Sequence, residues 1–296
     1  MRGATRRLAH EEEEESVFVS MTDLTVSFLF IVIILLAFFA SQLKDDQTVP
    51  LAEYRQIERE RDRSTAENAD LRREVARLEE ELRKERTNRL QTYLSAVSSE
   101  RDRILRTLRD RLVVDFPELE NIVSIETGAL RFKGDGLFKT DRWQLAEDKR
   151  RVVTAIATRL NELLPCYTFG KAAHWQASCN AAGAVIEAVQ IEGHTDASGQ
   201  DRSNFSLSTE RAVETLFAMT GREPALLENR NSAGQPVLSV AGYGRLRPVA
   251  DNTSERGRAT NRRIDLRIIM YTPQSVEEVE RIKDNLRRGL AGTVLP

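Results

Sequence analysis

VFVSMTDLTVSFLFIVIILLAFFAS, residues Val17 to Ser41, sets the architecture of this chain. At about 1.5 Å of rise per residue, a helix of this length crosses a hydrocarbon core of about 30 Å. A cleaved signal peptide would carry an apolar stretch of only about 7–15 residues behind a basic leader. Here five consecutive glutamates, Glu11 to Glu15, precede the stretch, which predicts a membrane anchor. Basic residues do not orient it: Arg2, Arg6 and Arg7 lie on one side, and Lys44, Arg55 and Arg59 on the other.

One residue opposes the apolar pattern. A charged Asp23 placed centrally would cost about 2.5–3.5 kcal/mol on insertion scales. Ser16, Ser20, Asp23 and Ser27 follow a 4-3-4 spacing and so share one helix face. A single ionisable group on a stripe of small polar residues is what a helix needs to line an ion path, with Ser20 and Ser27 beside the carboxylate. The plainer alternative is a carboxylate kept hydrated near the interface. One helix cannot enclose a path, so the ion-conducting reading requires partner helices.

Outward from the anchor the composition changes abruptly. Residues 1–16 are expected to form a short tail and 42–112 a spacer, whose charged, almost glycine-free helical part is marked at its start by Pro50. Leu71, Val75, Leu78 and Leu82 recur at heptad spacing, as do Leu90, Leu94, Val97, Ile104 and Leu108 after a stutter. Opposed charges such as Glu79 and Arg83 stand four residues apart. The pattern predicts a parallel two-stranded coiled coil, with a single solvated helix as the alternative. Fully helical, it would be about 90 Å long.

Residues 113–274 read as an α+β domain, followed by a charged terminal helix over 275–296. Strands are predicted at Ile122–Glu126, Ala129–Phe132, Val185–Gly193, Val237–Ala241 and Ile264–Tyr271, and helices at Asp141–Leu164, Leu207–Thr220 and Ser275–Leu290. The formal net charge of -2 gives no reason to expect nucleic acid. Cys166 and Cys179 lack metal-ligand spacing and a completing His or Cys cluster. Outside the cytoplasm they would form a disulfide; inside it they would be two small apolar residues. No nucleophile–base pair or metal cluster stands out, so neither an enzyme nor a cofactor is expected, and His194 reads as structural.

Four ordered blocks carry a resemblance: Ile191-Glu-Gly-His-Thr-Asp196, Asn204-Phe-Ser-Leu-Ser-Thr-Glu-Arg211-Ala, Gly242-Tyr-Gly-Arg-Leu-Arg-Pro248 and Asn261-Arg-Arg-Ile-Asp265. They resemble the OmpA-like peptidoglycan-binding domain, which implies a mixed sheet with helices on one face. The resemblance puts Asp196 and Arg211 at the ligand positions, with Thr195 beside them; Asn204, Arg262 and Arg263 either shape the pocket or serve the fold alone. The implied ligand is the diaminopimelate of a stem peptide, whose side chain ends in a zwitterion. A carboxylate takes its ammonium, and an arginine fork takes its carboxylate. The insert Pro165–Gly183, with Cys166, His174, Trp175 and Cys179, departs from the simple family pattern.

Peptidoglycan lies outside the inner membrane, so the resemblance implies a cytoplasmic N-terminus, a periplasmic C-terminal domain and a disulfide. A single anchor with an intramembrane Asp, a spacer and an OmpA-like domain is similar to the layout of MotB-like stator B subunits. The motility signature, a basic stretch followed by Trp-Lys-x-x-x-Ala-Asp-Phe, is replaced here by Glu15-Ser-Val-Phe-Val-Ser-Met-Thr-Asp23-Leu. That segment resembles the B subunits of the Zorya anti-phage defence system. The resemblance implies a homodimer within a pentameric, multi-spanning A subunit, with Asp23 carrying a proton. A motility stator and a passive membrane-to-wall tether are the other two readings.

Overall fold

The computed structural model describes residues 5–45, 50–133, 137–139 and 141–288. It divides into two compact units, residues 1–79 and 80–296.

The first unit holds α1 (Thr5–Asp45) and the opening turns of α2 (Leu51–Asp115). Within α1, Asp23–Gln42 is a 20-residue stretch of mean hydropathy 2.8, long and apolar enough to cross a membrane by length and composition. Its apolar side chains are exposed, as expected of a surface made to face lipid or other helices. Helix α1 starts at Thr5, well inside the expected tail. Helix α2 starts directly after Pro50, at the predicted point; a proline cannot donate to a preceding turn and suits a helix start.

The second unit is built on a five-stranded sheet of order β1-β2-β5-β3-β4, from β1 (Val123–Glu126), β2 (Ala129–Lys133), β3 (Ile186–His194), β4 (Leu238–Gly242) and β5 (Arg263–Met270). Only β3 and β4 run parallel. A parallel pair needs a crossover, which is supplied by α4 (Asp201–Arg222), packed across β3 and β4 and against α3 (Glu147–Leu163). Helix α3 starts later than predicted: Asp141 takes a left-handed φ of 57°, and the helix opens only at the acidic pair Glu147 and Asp148. A short helix that the sequence does not predict, α5, spans Glu255–Asn261. Ser254 caps it, its Oγ accepting the Gly257 N–H at 3.1 Å. The terminal helix is α6 (Val276–Arg288); the last two residues of its expected range lie outside the described residues.

Strand alternation sorts β5 cleanly. Ile264, Leu266 and Ile268 enter one apolar core with Leu130, Val189 and Ile191, the α3 residues Val153, Ile156 and Leu160, and Met219 of α4. Arg263, Asp265 and Arg267 belong to the opposite face, in register with His194, Glu192 and Gln190 of β3. The same core contains Ile104, Leu105, Leu108 and Leu112 of α2. The compact unit therefore reaches back to Glu80, so residues 80–112 of the expected spacer belong to the globular unit. Each of those side chains stabilises the fold by about 1.5–3 kcal/mol on burial.

The insert over residues 165–183 is bound to this helix rather than looping freely. Cys166 and Cys179 are joined as a disulfide, with Cα atoms 6.3 Å apart. The Tyr167 hydroxyl donates to the Cys179 carbonyl at 2.7 Å, and Arg103 of α2 donates to the same hydroxyl at 2.5 Å. Tyr93 of α2 donates to the Gly183 carbonyl at 3.1 Å. Asn180, fully buried, ties the insert to its own stem through Cys166 O and Ala184 O.

Candidate functional site

A crevice of about 230 Å³ opens where β3 ends, between α4 and α5. Gly193 makes the close approach of β3 and α4 possible: a Cβ there would lie 1.9 Å from the Ser208 carbonyl oxygen. Thr195 and Asp196 follow the strand end and line the crevice. Asn204, Leu207 and Arg211, spaced 3-4 along α4, present one helix face to it.

Each polar group is held in place. Asp196 accepts from Arg262 Nη1 at 2.8 Å and from the Ser198 backbone N–H at 2.8 Å. Burial pushes the Asp196 carboxyl up, but the Arg262 guanidinium and Ser198 outweigh it and hold it below its ordinary value. Arg262 is braced in turn by Glu255 at 2.9 Å. Arg211 donates to the backbone carbonyls of Arg142 at 2.9 Å and Lys139 at 3.0 Å, with its guanidinium 5.5 Å from the Phe138 ring centroid. Asn204 donates to the Ser198 carbonyl at 2.8 Å, fixing the turn after Asp196. The Thr195 hydroxyl is buried without a hydrogen-bond partner among the described residues. Three carboxylates (Asp141, Asp196, Glu255) and three guanidinium groups (Arg211, Arg258, Arg262) line the crevice, a balanced set suited to a ligand bearing both charges.

Five of the six pocket residues expected from sequence thus converge: Thr195, Asp196, Asn204, Arg211 and Arg262. Arg263 does not. Strand alternation turns it away, and its guanidinium is buried against Asp265 at 3.1 Å and the Arg247 carbonyl at 3.0 Å. Asp141, Ser198, Leu207, Glu255 and Arg258 were not anticipated. Leu207 was readable from its four-residue spacing to Arg211 on the predicted helix, which in fact starts six residues earlier, at Asp201; Glu255 and Arg258 depended on recognising α5 from its Ser254 cap. In the first unit, Asp23 and Ser27 stand exposed on α1; the side chains of Ser16 and Ser20 lie outside the described residues.

The sheet face bearing Arg263 carries a second charged set. Glu192 pairs with Arg267 at 2.7 and 2.9 Å, and Asp265 pairs with Arg131 at 3.0 and 3.1 Å. Burial pushes the Glu192 carboxyl up, and His194 together with the Arg267 guanidinium outweighs that and carries it down to about 2. Burial also holds the His194 imidazole below its usual value, and the ring stacks on Tyr243 at 5.2 Å. Glu192, His194 and Asp265 offer ligand atoms within 4.8 Å of one another. As a metal site the set fits poorly, because both carboxylates are already matched by arginines and a divalent ion would leave buried positive charge uncompensated.

No family model matches the chain. Over 81 residues it is 36% identical to the peptidoglycan-associated lipoprotein of Pseudomonas aeruginosa, which is 27% of this chain and 42% of that protein. Over 83 residues it is 35% identical to motility protein B of Bacillus subtilis, 27% of this chain and 29% of that one. The chain is similar to both. Among solved structures, a putative MotB-like protein from Desulfovibrio vulgaris gives a TM-score of 0.40 at 20% identity, covering 62% of this chain and 99% of that one. The chain spans less than half the length of its curated relatives, from 20% to 46% among the strongest matches.

Proposed function

We propose that this chain is the peptidoglycan-anchored B subunit of a stator-like, ion-driven inner-membrane complex that acts in anti-phage defence. One observation carries the reading: a single chain joins a carboxylate inside an apolar span, Asp23, to a charge-balanced crevice holding Asp196 and Arg211. The crevice grips the wall through diaminopimelate, its carboxylate meeting the ammonium and its arginine the carboxylate. Two copies pair through α2 within a ring of multi-spanning A subunits. Asp23 carries protons past them, and one charge crossing the field is worth about 2.3 kcal/mol per 100 mV. The N-terminus is cytoplasmic and the wall-binding unit periplasmic, where the Cys166–Cys179 disulfide is stable. Torque on the A subunits requires a fixed partner, which the wall supplies.

A motility stator is the second reading, favoured by the similarity to a motility protein B. Cells carrying the gene with its genomic neighbours should resist phage, and Asp23→Asn at equal protein level should abolish protection. Asp196→Ala should do the same while also losing the chain from sacculus pull-downs. Protection that survives Asp23→Asn would reduce the chain to a passive tether. No protection from the wild type, with rescued swimming in a stator-deficient host, would establish the motility reading instead.

A further inference from the structure

The crevice has a neighbour that the peptide reading leaves unused. Asp141 lines the crevice, the Arg142 carbonyl is clamped by Arg211, and the next residue is Trp143, whose side chain is 41% exposed. Its indole makes no hydrogen bond among the described residues. Single exposed aromatics are ordinary on protein surfaces. This one differs in its footing: Asp141 holds a left-handed φ of 57°, a conformation few non-glycine residues adopt, and Arg211 fixes the following peptide at 2.9 Å and Lys139 at 3.0 Å. The loop is thus locked to the helix that carries Arg211, and a large, half-exposed ring follows two residues after the crevice-lining Asp141.

We infer that Trp143 is a stacking platform for a sugar ring of the glycan strand. This rests on the peptidoglycan reading and extends it from peptide to carbohydrate. An indole offers a flat apolar face to the C–H groups of a pyranose while its N–H stays in water or meets a hydroxyl. Arg211, the residue assigned to the diaminopimelate carboxylate, donates to the Arg142 carbonyl at 2.9 Å, which sets the Trp143 backbone next to the peptide site.

The test uses the full chain in detergent and two probes, the diaminopimelate-containing tripeptide and the same tripeptide carried on its disaccharide. In the wild type the disaccharide should tighten binding about fivefold, the scale of one aromatic stacking contact. Trp143→Ala should erase that gain and leave tripeptide affinity unchanged, whereas Trp143→Phe should retain most of it. A gain that survives Trp143→Ala overturns the inference while leaving the peptidoglycan reading intact. Equal loss of tripeptide binding would also overturn it, by making Trp143 part of the peptide site. A wild type that binds neither probe overturns the peptidoglycan reading, and the platform with it.

Discussion

Two stretches of α2 carry apolar residues at similar spacing and meet opposite fates. Leu71, Val75 and Leu78 are 50–56% exposed, whereas Leu105, Leu108 and Leu112 are fully buried. The later stretch packs on α3 and the sheet of its own chain; the earlier one has no covering surface among the described residues. Periodicity reports that a helix has an apolar face and is silent about what covers it. The later stretch carries additional apolar positions, Tyr93, Leu105 and Leu112, that broaden a narrow heptad seam into a stripe wide enough for a globular core. The earlier stretch keeps the two-position seam of a coiled coil.

The contrast breaks first at Leu108. Leu108→Ala should cost about 3 kcal/mol and lower the melting temperature of the second unit by about 10 °C, measured by circular dichroism or calorimetry. A shift near zero would mean that the helix is not part of that fold. Tyr93, where the burial begins, sharpens the contrast through pH. Burial pushes its hydroxyl up to about 12, so folding favours the neutral form. That contribution is complete below about pH 10 and is lost as pH rises toward 12. Tyr93→Phe should therefore cost about 1 kcal/mol at pH 7, through the lost bond to Gly183, and make alkaline unfolding shallower. An unchanged alkaline profile would show that the phenol is not shielded from water. The smallest thermal effect belongs to the early stretch: Val75→Asn with Leu78→Asn should move the melting point by less than about 0.5 kcal/mol equivalent. The same variant should abolish disulfide crosslinking between copies through a cysteine placed at Leu71. Retained crosslinking would assign pairing to another surface.

Much of the candidate site was legible because its chemistry is written in short blocks. Asp196 follows a predicted strand end and Arg211 lies on a predicted helix, whereas Asn204 joins that helix only because it starts at Asp201 rather than at the expected Leu207. Arg263 was misread because adjacent residues at a strand start face opposite ways, and sequence alone does not say which of Arg262 and Arg263 faces the crevice. The strands were found to within a residue or two, since alternation marks them directly. Helix α3 was started too early because the left-handed turn at Asp141 leaves no mark that separates it from a helical N-terminus. Helix α5, only seven residues long, carries no apolar period at all.

Helix α2 also enters the domain without an intervening loop, its last turns being core residues and its flank tied to the stapled insert through Arg103 and Tyr93. A pull along the helix axis therefore acts in shear on the Ile104, Leu105, Leu108 and Leu112 contacts together, instead of peeling them away one at a time. Forced separation is governed by the unfolding barrier rather than by equilibrium stability, and loading contacts in parallel raises the force at which that barrier is crossed.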